Sequence, residues 1–132
     1  MTRSVAGLAE IVLGIYRDLL GLEVISPAQI PNKFLRAGGG ADGVPEMIVL
    51  VPHPDPSMDF PREKTKRALH HLAFRVEGAE YEKLRDRLIA AGVEVRLGIH
   101  PVLKEVRTFY ADDPDGNEVE CISPETPEVT ER

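Results

Sequence analysis

The chain has 132 residues, of which 42% are hydrophobic and 29% are charged, an ordinary composition for a globular domain. Its net charge of −6 argues against a polyanionic partner such as nucleic acid, and no apolar run approaches the roughly 18–20 residues that span a membrane. The single cysteine, Cys121, cannot form an internal disulfide and the first residues lack the apolar stretch of a secretory signal, so we expect a cytoplasmic protein.

The first half of the chain predicts a strand, a helical turn and three more strands. Residues 8–15 are predicted to form a strand whose alternation places Glu10, Val12 and Gly14 on one face, opposite apolar residues. In chain order, the elements that follow are a helical turn over residues 16–20 and strands over 22–26, 33–37 and 46–51. The glycine-rich residues 38–43 are expected to form the loop between the last two strands.

The second half predicts the same order of elements. In chain order they are a strand over residues 69–76, a helix over 79–91, and strands over 93–99, 106–112 and 117–123. The apolar stripe of the helix, at three- and four-residue spacing, consists of Tyr81, Leu84, Leu88 and Ala91. Gly92 follows where a helix end favours a left-handed residue. Residues 113–116, Asp-Pro-Asp-Gly, predict a tight turn between the last two strands.

This internal repeat predicts an α+β fold of paired βαβββ modules. Neither half has enough core alone, so we expect both to form curled mixed sheets around a shared cleft. The prediction is a single domain over residues 1–132, with modules at about 5–52 and 68–123. A Pro- and charge-rich linker occupies residues 53–67, and the acidic residues 124–132 are expected to be a frayed tail.

The two modules differ in the length of the predicted helix. Only 11 positions separate Glu10 from Gly21, whereas 21 separate His71 from Gly92, so the first module lacks about ten residues, most of a helix. Either the helix is truncated or a segment is absent from this sequence. A truncated helix would leave one sheet face partly uncovered, and a second subunit is then expected to cover it.

Strand alternation also predicts a cluster of metal ligands. Glu10, His71 and Glu120 each lie opposite an apolar strand face, which leaves them facing the inside of the cleft. A buried imidazole between two carboxylates is costly unless it is paired or bound to metal. Imidazole and carboxylate together are a usual ligand set for a divalent first-row metal.

Several segments resemble a known superfamily. The segments HLAFRV from His71 and DPDGNEVE from Asp113 resemble two signature strands of the vicinal-oxygen-chelate superfamily, and residues 8–13 and 16–24 resemble the opening of its first module. This superfamily includes glyoxalase I, extradiol dioxygenases and bleomycin-resistance proteins. The resemblance covers nearly the whole chain and implies the paired-module fold described above.

The resemblance also implies roles for individual residues. It places His71 and Glu120 on the metal ligands of the second module and Glu10 on the ligand of the first strand. Thr108 and Tyr110 match positions that line the pocket in the family, and we expect them to contact substrate together with Arg75. Glu120 and Tyr110 are the expected catalytic residues, and Tyr110 would donate a proton or a hydrogen bond.

Three departures from the family narrow this interpretation. Val49 stands at the position of the fourth ligand in glyoxalase I and methylmalonyl-CoA epimerase, and Glu10 stands where extradiol dioxygenases have a histidine. Val12 replaces the polar residue expected in fosfomycin-resistance enzymes. The predicted site therefore has one histidine, two carboxylates and open coordination positions for Fe, Mn, Zn or Ni.

Two functions are consistent with this site. The first is a divalent-metal enzyme, a lyase, isomerase or dioxygenase, that chelates a small substrate through adjacent oxygens and stabilises an enolate or activates oxygen. The alternative is a metal-free protein resembling the bleomycin-resistance proteins, which binds and sequesters a small molecule. In either case the apolar strand at residues 47–51 favours a ligand with an apolar part, and we expect a homodimer.

The other histidines, the cysteine and the charged segment before the second module are predicted to have structural roles or to be solvated. His70 is predicted to face the helix as a core or edge residue, and Cys121 to be a small core residue. His53 and His100 are expected to be solvated in loops, and the charged residues 62–67 to form a solvated linker.

Overall fold

The protein is built from two compact units, each with one sheet. The computed structural model describes residues 12–55, 57, 61 and 63–124. The units are Met1–Phe60 and Pro61–Arg132, so their boundary falls within the predicted linker. The predicted α+β class with two sheets is confirmed. Within the described residues, no helix combines the length and apolar character needed to cross a membrane.

The first unit contains a short helical segment and an antiparallel sheet. Residues Gly14–Leu19 form a π-helical segment. The strands are β1 (Glu23–Val24), β2 (Lys33–Ala41) and β3 (Val44–Leu50), and β2 lies between the other two. The described helical residues run from Val12 to Leu19, so they include most of the helical turn predicted over residues 16–20.

The predicted strand over residues 8–15 is wrong in its described part, because residues 12–19 are helical. Leu13 and Tyr16 are only 2% and 1% exposed and lie three positions apart, the spacing of one helix face rather than of alternating strand residues. The Leu20 N–H donates to the Ile15 carbonyl at 2.8 Å, the wide turn of a π-helix. Glu10 lies outside the described residues, so its orientation toward the cleft stays a prediction.

The predicted glycine-rich loop is also wrong, because β2 continues through it to Ala41. The register between β2 and β3 shifts between Arg36 and Ala41, where the glycines lie, and the two strands remain paired on both sides of these irregularities. The turn itself is Asp42-Gly43, where both residues have positive φ, 54° and 77°. An Asp-Gly pair with these signs closes a two-residue hairpin whose twist matches that of the strands.

The second unit contains one α-helix on a mixed four-stranded sheet. A 3-10 turn at Lys64–Lys66 precedes β4 (His71–Arg75), α1 (Gly78–Ala90), β5 (Arg96–Gly98), β6 (Val106–Asp112) and β7 (Glu118–Pro124). The order across the sheet is β4-β7-β6-β5. The β4–β7 pair is parallel and the other two pairs are antiparallel, as a βαβββ unit requires.

The core of this unit lies between α1 and one face of the sheet. The predicted stripe of α1 is buried at Tyr81, Leu84 and Leu88. The Tyr81 ring packs edge-on against Phe109, which is fully buried, at a centroid distance of 5.2 Å. The helix ends as predicted, since Gly92 adopts a φ of 85°.

Cys121 belongs to the same core and is 1% exposed. Burial and the charge of Glu120 raise the pKa of the Cys121 thiol to about 12. The thiolate is therefore scarce at neutral pH, and the prediction of a structural cysteine is confirmed.

The prediction of a solvated linker at residues 62–67 is wrong for two side chains. The Lys64 ammonium group pairs with Glu118 at the start of β7. Arg67 donates to the Gly116 carbonyl and to the Asn117 side-chain oxygen, both at 2.7 Å. These contacts fasten the linker to the turn before β7, so part of the charge in this segment is structural.

Candidate metal and substrate site

The candidate site lies on the sheet face that points away from α1. Since strand residues alternate, burial of Val119 and Cys121 against the helix directs Glu118 and Glu120 to the opposite face. Tyr110 is paired with Glu120 in the β6–β7 register, and His71 is paired with Glu118 in the β4–β7 register. The described part of the predicted site is thus brought to one face by three adjacent strands.

Glu120 lies at the centre of this face. Its side chain is only 3% exposed, and its Oε1 atom lies 3.1 Å from Nε2 of His71. Its other oxygen, Oε2, accepts a 2.7 Å hydrogen bond from the Thr108 hydroxyl group. Among the described residues, no lysine or arginine forms an ion pair with Glu120, so a buried carboxylate is held by an imidazole and a neutral hydroxyl.

Tyr110 borders the same carboxylate. Burial, a hydrogen bond with Glu120 and the negative charge of that carboxylate raise the pKa of Tyr110 above its usual value. Its ring stands edge-on to the His71 ring at a centroid distance of 6.2 Å. At neutral pH the hydroxyl group therefore keeps its proton and is suited to donating a hydrogen bond.

The position of the Tyr110 ring depends on Gly98. A Cβ atom placed on Gly98 would lie 2.6 Å from Cε2 of Tyr110. Gly98 is paired with Thr108 on the neighbouring strand, which places it on the same face as the site. The absence of a side chain at Gly98 thus makes room for the aromatic ring.

Arg75 is less closely involved than the other described residues of the predicted site. Arg75 lies on the site face of β4, but its side chain is 66% exposed and its guanidinium pairs with Glu77 at 2.6 Å. Glu10 is outside the described residues. The structure therefore brings together His71, Thr108, Tyr110 and Glu120.

His70 is a site residue that sequence reasoning missed. The expectation that it faces the helix is wrong, because His70 is exposed and its Nδ1 atom lies 2.8 Å from Nδ1 of His71. Strand alternation could not predict this contact, since β4 begins at His71 and His70 precedes it. The only sequence signal was the His-His pair itself.

A second carboxylate lies close to the histidine pair. One ligand atom from each of His70, His71 and Glu118 lies within 4.8 Å of the others, so this group could hold a metal ion. However, Oε1 of Glu118 pairs with Lys64, and Oε2 accepts a 2.9 Å hydrogen bond from Arg96.

The charge of Glu118 is therefore already balanced by its neighbours. Burial alone would raise the pKa of Glu118, but the hydrogen bonds and charges of Lys64 and Arg96 outweigh it and lower that pKa. Glu120, without a cationic partner among the described side chains, is the better donor to a metal.

A separate cavity opens near the hairpin that joins β5 to β6. Its volume is about 510 Å³, and its lining includes Tyr81, Arg85 and Thr108 but neither His71 nor Glu120. His100 also lines it, and its Nδ1 atom accepts hydrogen bonds from the backbone N–H groups of Val102 and Leu103 at 3.1 and 2.9 Å. The expectation that His100 is simply solvated is therefore incomplete, since its ring also shapes its own loop.

Comparison with known proteins identifies the family. The sequence model of the Glyoxalase/Bleomycin resistance protein/Dioxygenase superfamily matches residues 9–121. The chain belongs to this superfamily. The family resemblance seen in the sequence is therefore confirmed, and the match covers both compact units.

Solved structures of several other proteins show the same fold. A glyoxalase/dioxygenase from Nostoc punctiforme is 19% identical, with a TM-score of 0.66 over 87% of this chain and 82% of that protein. The fosfomycin resistance protein FosX from Listeria monocytogenes, complexed with Mn(II) and sulfate, is 19% identical, with a TM-score of 0.57 over 96% of this chain and 86% of FosX. The antibiotic-binding protein TnmS3 from Streptomyces sp. CB03234 is 20% identical, with a TM-score of 0.55 and coverages of 88% and 86%.

Proposed function

We propose that this protein is a divalent-metal-dependent enzyme of the superfamily, with the metal held by Glu10, His71 and Glu120. The observation that carries the proposal is the buried Glu120 carboxylate, which faces Nε2 of His71 at 3.1 Å and has no lysine or arginine partner among the described residues. A buried carboxylate in this state is stabilised by a cation shared with the imidazole.

The donor set of the described residues fits a first-row divalent metal. An imidazole nitrogen and a carboxylate oxygen converge on the same face, and both are ligand types that Fe, Mn, Zn and Ni accept. The crystallised FosX complex contains Mn(II), which makes manganese a reasonable first choice for reconstitution. Such a metal supplies Lewis acidity, which polarises an oxygen of a bound substrate.

The neighbouring residues would prepare the site for a substrate with adjacent oxygens. The Thr108 hydroxyl group fixes the orientation of Glu120 by its 2.7 Å hydrogen bond. Tyr110 keeps its proton, which it directs at Glu120, and would redirect this hydrogen bond to a substrate oxygen on which negative charge develops. Arg75, exposed at the edge of the same face, would attract an anionic part of the substrate. The reaction class we propose is enolate stabilisation or oxygen activation.

One observation favours the alternative, a metal-free binding protein. The described geometry satisfies Glu120 without a cation, because an Nε2–H of His71 and the Thr108 hydroxyl group together serve both oxygens. The superfamily's name includes bleomycin resistance proteins, and TnmS3, an antibiotic-binding protein, has the same fold. Measuring the metal bound to the purified protein distinguishes the two functions.

The decisive experiment is elemental analysis of the purified protein after incubation with Mn(II), Fe(II), Ni(II) or Zn(II). We expect about one equivalent of metal in the wild type and a loss of about 100-fold or more in affinity for His71→Ala and Glu120→Gln, since each removes a ligand. Glu80→Gln is the matched control, because Glu80 lies on α1, which covers the opposite face of the sheet. This control variant should bind metal as the wild type does.

Two results would contradict the proposal. Absence of metal from the reconstituted wild type would favour the sequestering function and call for ligand-binding screens. Unchanged metal content in Glu120→Gln would show that the ligand assignment is wrong.

The proposed assembly is a cytoplasmic homodimer that binds a substrate with an apolar part. The support is an apolar face on β3, where Met47 and Val49 are each 43% exposed. Large exposed apolar side chains on one strand face favour a protein–protein contact or a ligand-binding wall.

A further inference from the structure

We propose that His70 is a positioning residue for His71. It holds the His71 ring in place by a hydrogen bond and allows that ring to have one tautomer in the metal-free state and the other in the metal-bound state. This inference rests on the proposed function, since it concerns how His71 becomes a ligand. It assigns a role to a side chain that is not itself among the proposed ligands.

The rings of His70 and His71 are in direct contact. Their Nδ1 atoms are 2.8 Å apart, the length of a hydrogen bond. Two lone pairs would repel at this distance and two N–H groups would clash, so a single hydrogen lies between the nitrogens. When both rings are neutral, they therefore hold complementary tautomers.

The other nitrogen of His71 decides which ring donates. Nε2 of His71 lies 3.1 Å from Oε1 of Glu120, and a carboxylate oxygen can only accept. In the metal-free protein Nε2 must then carry the hydrogen and donate to Glu120. Nδ1 of a neutral His71 is consequently an acceptor, and His70 donates to it.

Metal binding requires the opposite arrangement. A metal ion takes the lone pair of Nε2, so the hydrogen of the His71 ring must move to Nδ1. His70 then becomes the acceptor of the same hydrogen bond. An imidazole can serve in both directions, whereas a backbone carbonyl could only accept.

The surroundings of His70 permit this exchange. Its ring is exposed, so its own hydrogen can pass between the two nitrogens through water. The His71 ring is confined by Glu120 on one side and by Tyr110 at a centroid distance of 6.2 Å. His70 completes this confinement from the third side, with a ring-centroid distance of 5.0 Å to His71.

The first test uses metal-free protein and does not depend on metal binding. The ¹⁵N chemical shifts of histidine-labelled protein, recorded at pH 8 after treatment with a chelator, report which nitrogen of each ring carries the hydrogen. We expect Nε2–H in His71 and Nδ1–H in His70. The His71→Ala variant should release His70 into a mixture of both tautomers. The same tautomer in both rings of the wild type, or a tautomer of His70 unaffected by His71→Ala, would overturn the inference.

The second test measures zinc affinity by competition with a chromophoric chelator. We expect His70→Ala to bind about tenfold more weakly than the wild type, the usual size of an effect from a hydrogen-bonding neighbour of a ligand. His70→Asn, whose amide can donate or accept near the same place, should stay within about threefold of the wild type. Equal affinities for His70→Ala and the wild type would overturn the inference.

The two tests separate failure of this inference from failure of the proposed function. A wild type that binds no zinc contradicts the proposed function, and the tautomers in metal-free protein then decide alone whether His70 positions His71. If the wild type binds zinc and His70→Ala binds it equally well, the proposed function is supported but the role proposed for His70 is wrong.

Discussion

The described side chains around Glu120 hold this buried carboxylate with no lysine or arginine among them. Thr108, itself 2% exposed, donates to one oxygen, and the His71 ring lies against the other. Hydrogen bonds to a charged group contribute about 1.5–3 kcal/mol each, enough to offset much of the cost of burial. The described contacts therefore go far toward stabilising the Glu120 carboxylate in the folded protein.

Gly98 offers a way to move Tyr110 without touching a proposed ligand. In Gly98→Ala the new Cβ atom would lie 2.6 Å from the Tyr110 ring, so we expect the ring to swing away from Glu120. The pKa of Tyr110 should then fall from its raised value toward the usual one, because both burial and the nearby carboxylate act less. Absorbance during alkaline titration, with Tyr110→Phe to identify this tyrosine among three, measures the change.

The cost of this substitution in stability should be about 1 kcal/mol, the low end of the range for overpacking, because one partly exposed ring has to shift. Gly39→Ala is the control, because a methyl group added at Gly39 would meet open space, with nothing beyond its chain neighbours within 4 Å. An unchanged tyrosine titration in Gly98→Ala would contradict the role given to Gly98.

The sequence predicted the shared face of the site but not its contacts. Strand alternation placed His71 and Glu120 on the face away from the helix, the family resemblance placed Tyr110 in the same pocket, and the regular pairing of these strands brings the three to one face. It could not show that Thr108 donates to Glu120 or that His70 meets His71. Both contacts depend on side-chain rotamers and, for His70, on a residue outside the strand.

Elements were predictable where one periodicity dominated. The helix α1 and strands β6 and β7 were placed within one residue at each end, because their apolar patterns fit a single period. Residues 12–15 were misassigned because their apolar residues fit alternation and helical spacing equally well over so short a stretch. The position of the Asp42-Gly43 turn was not predicted, because the glycines before it also favour a loop.

Glu118 links three elements and should make the stability of this unit depend on pH. It joins Lys64 of the linker and Arg96 of β5 to the start of β7. Because its pKa is lowered in the folded state, its contribution is complete above its ordinary pKa of 4.5 and is lost as the pH falls through the lower folded value. We expect Glu118→Gln to reduce the free energy of unfolding by about 1–2 kcal/mol at pH 7, a modest value because both cations are about one-third exposed.

Chemical denaturation at a series of pH values tests this prediction. The difference between Glu118→Gln and the wild type should shrink as the pH falls below about 4.5. Glu94→Gln is the control, because Glu94 also faces Arg96 but is 81% exposed and should show little effect at any pH. A difference between Glu118→Gln and the wild type that stays constant down to pH 3 would contradict the assignment.

For the whole molecule, the expected homodimer can be tested through the apolar face of β3. Val49→Glu places a charge beside Met47, so we expect it to weaken association if this face is the contact. Ile89→Glu is the matched control, since Ile89 is an exposed apolar residue of α1 in the other unit. Light scattering at micromolar concentration should give a dimer for the wild type and the control, and a smaller mass for Val49→Glu. A monomeric wild type would contradict the expectation of a dimer.

The order of strands in the second unit also decides when its sheet can be completed during synthesis. β7 lies between β4 and β6, although it is synthesised after both. Among the strands that the structure describes, β7 is the one that pairs with β4, so while residues 76–117 are being made β4 lacks this partner and His71 lacks Glu120. Only when β7 has been made can it join the two halves of the sheet, so the described part of the candidate site and the sheet of this unit are completed together.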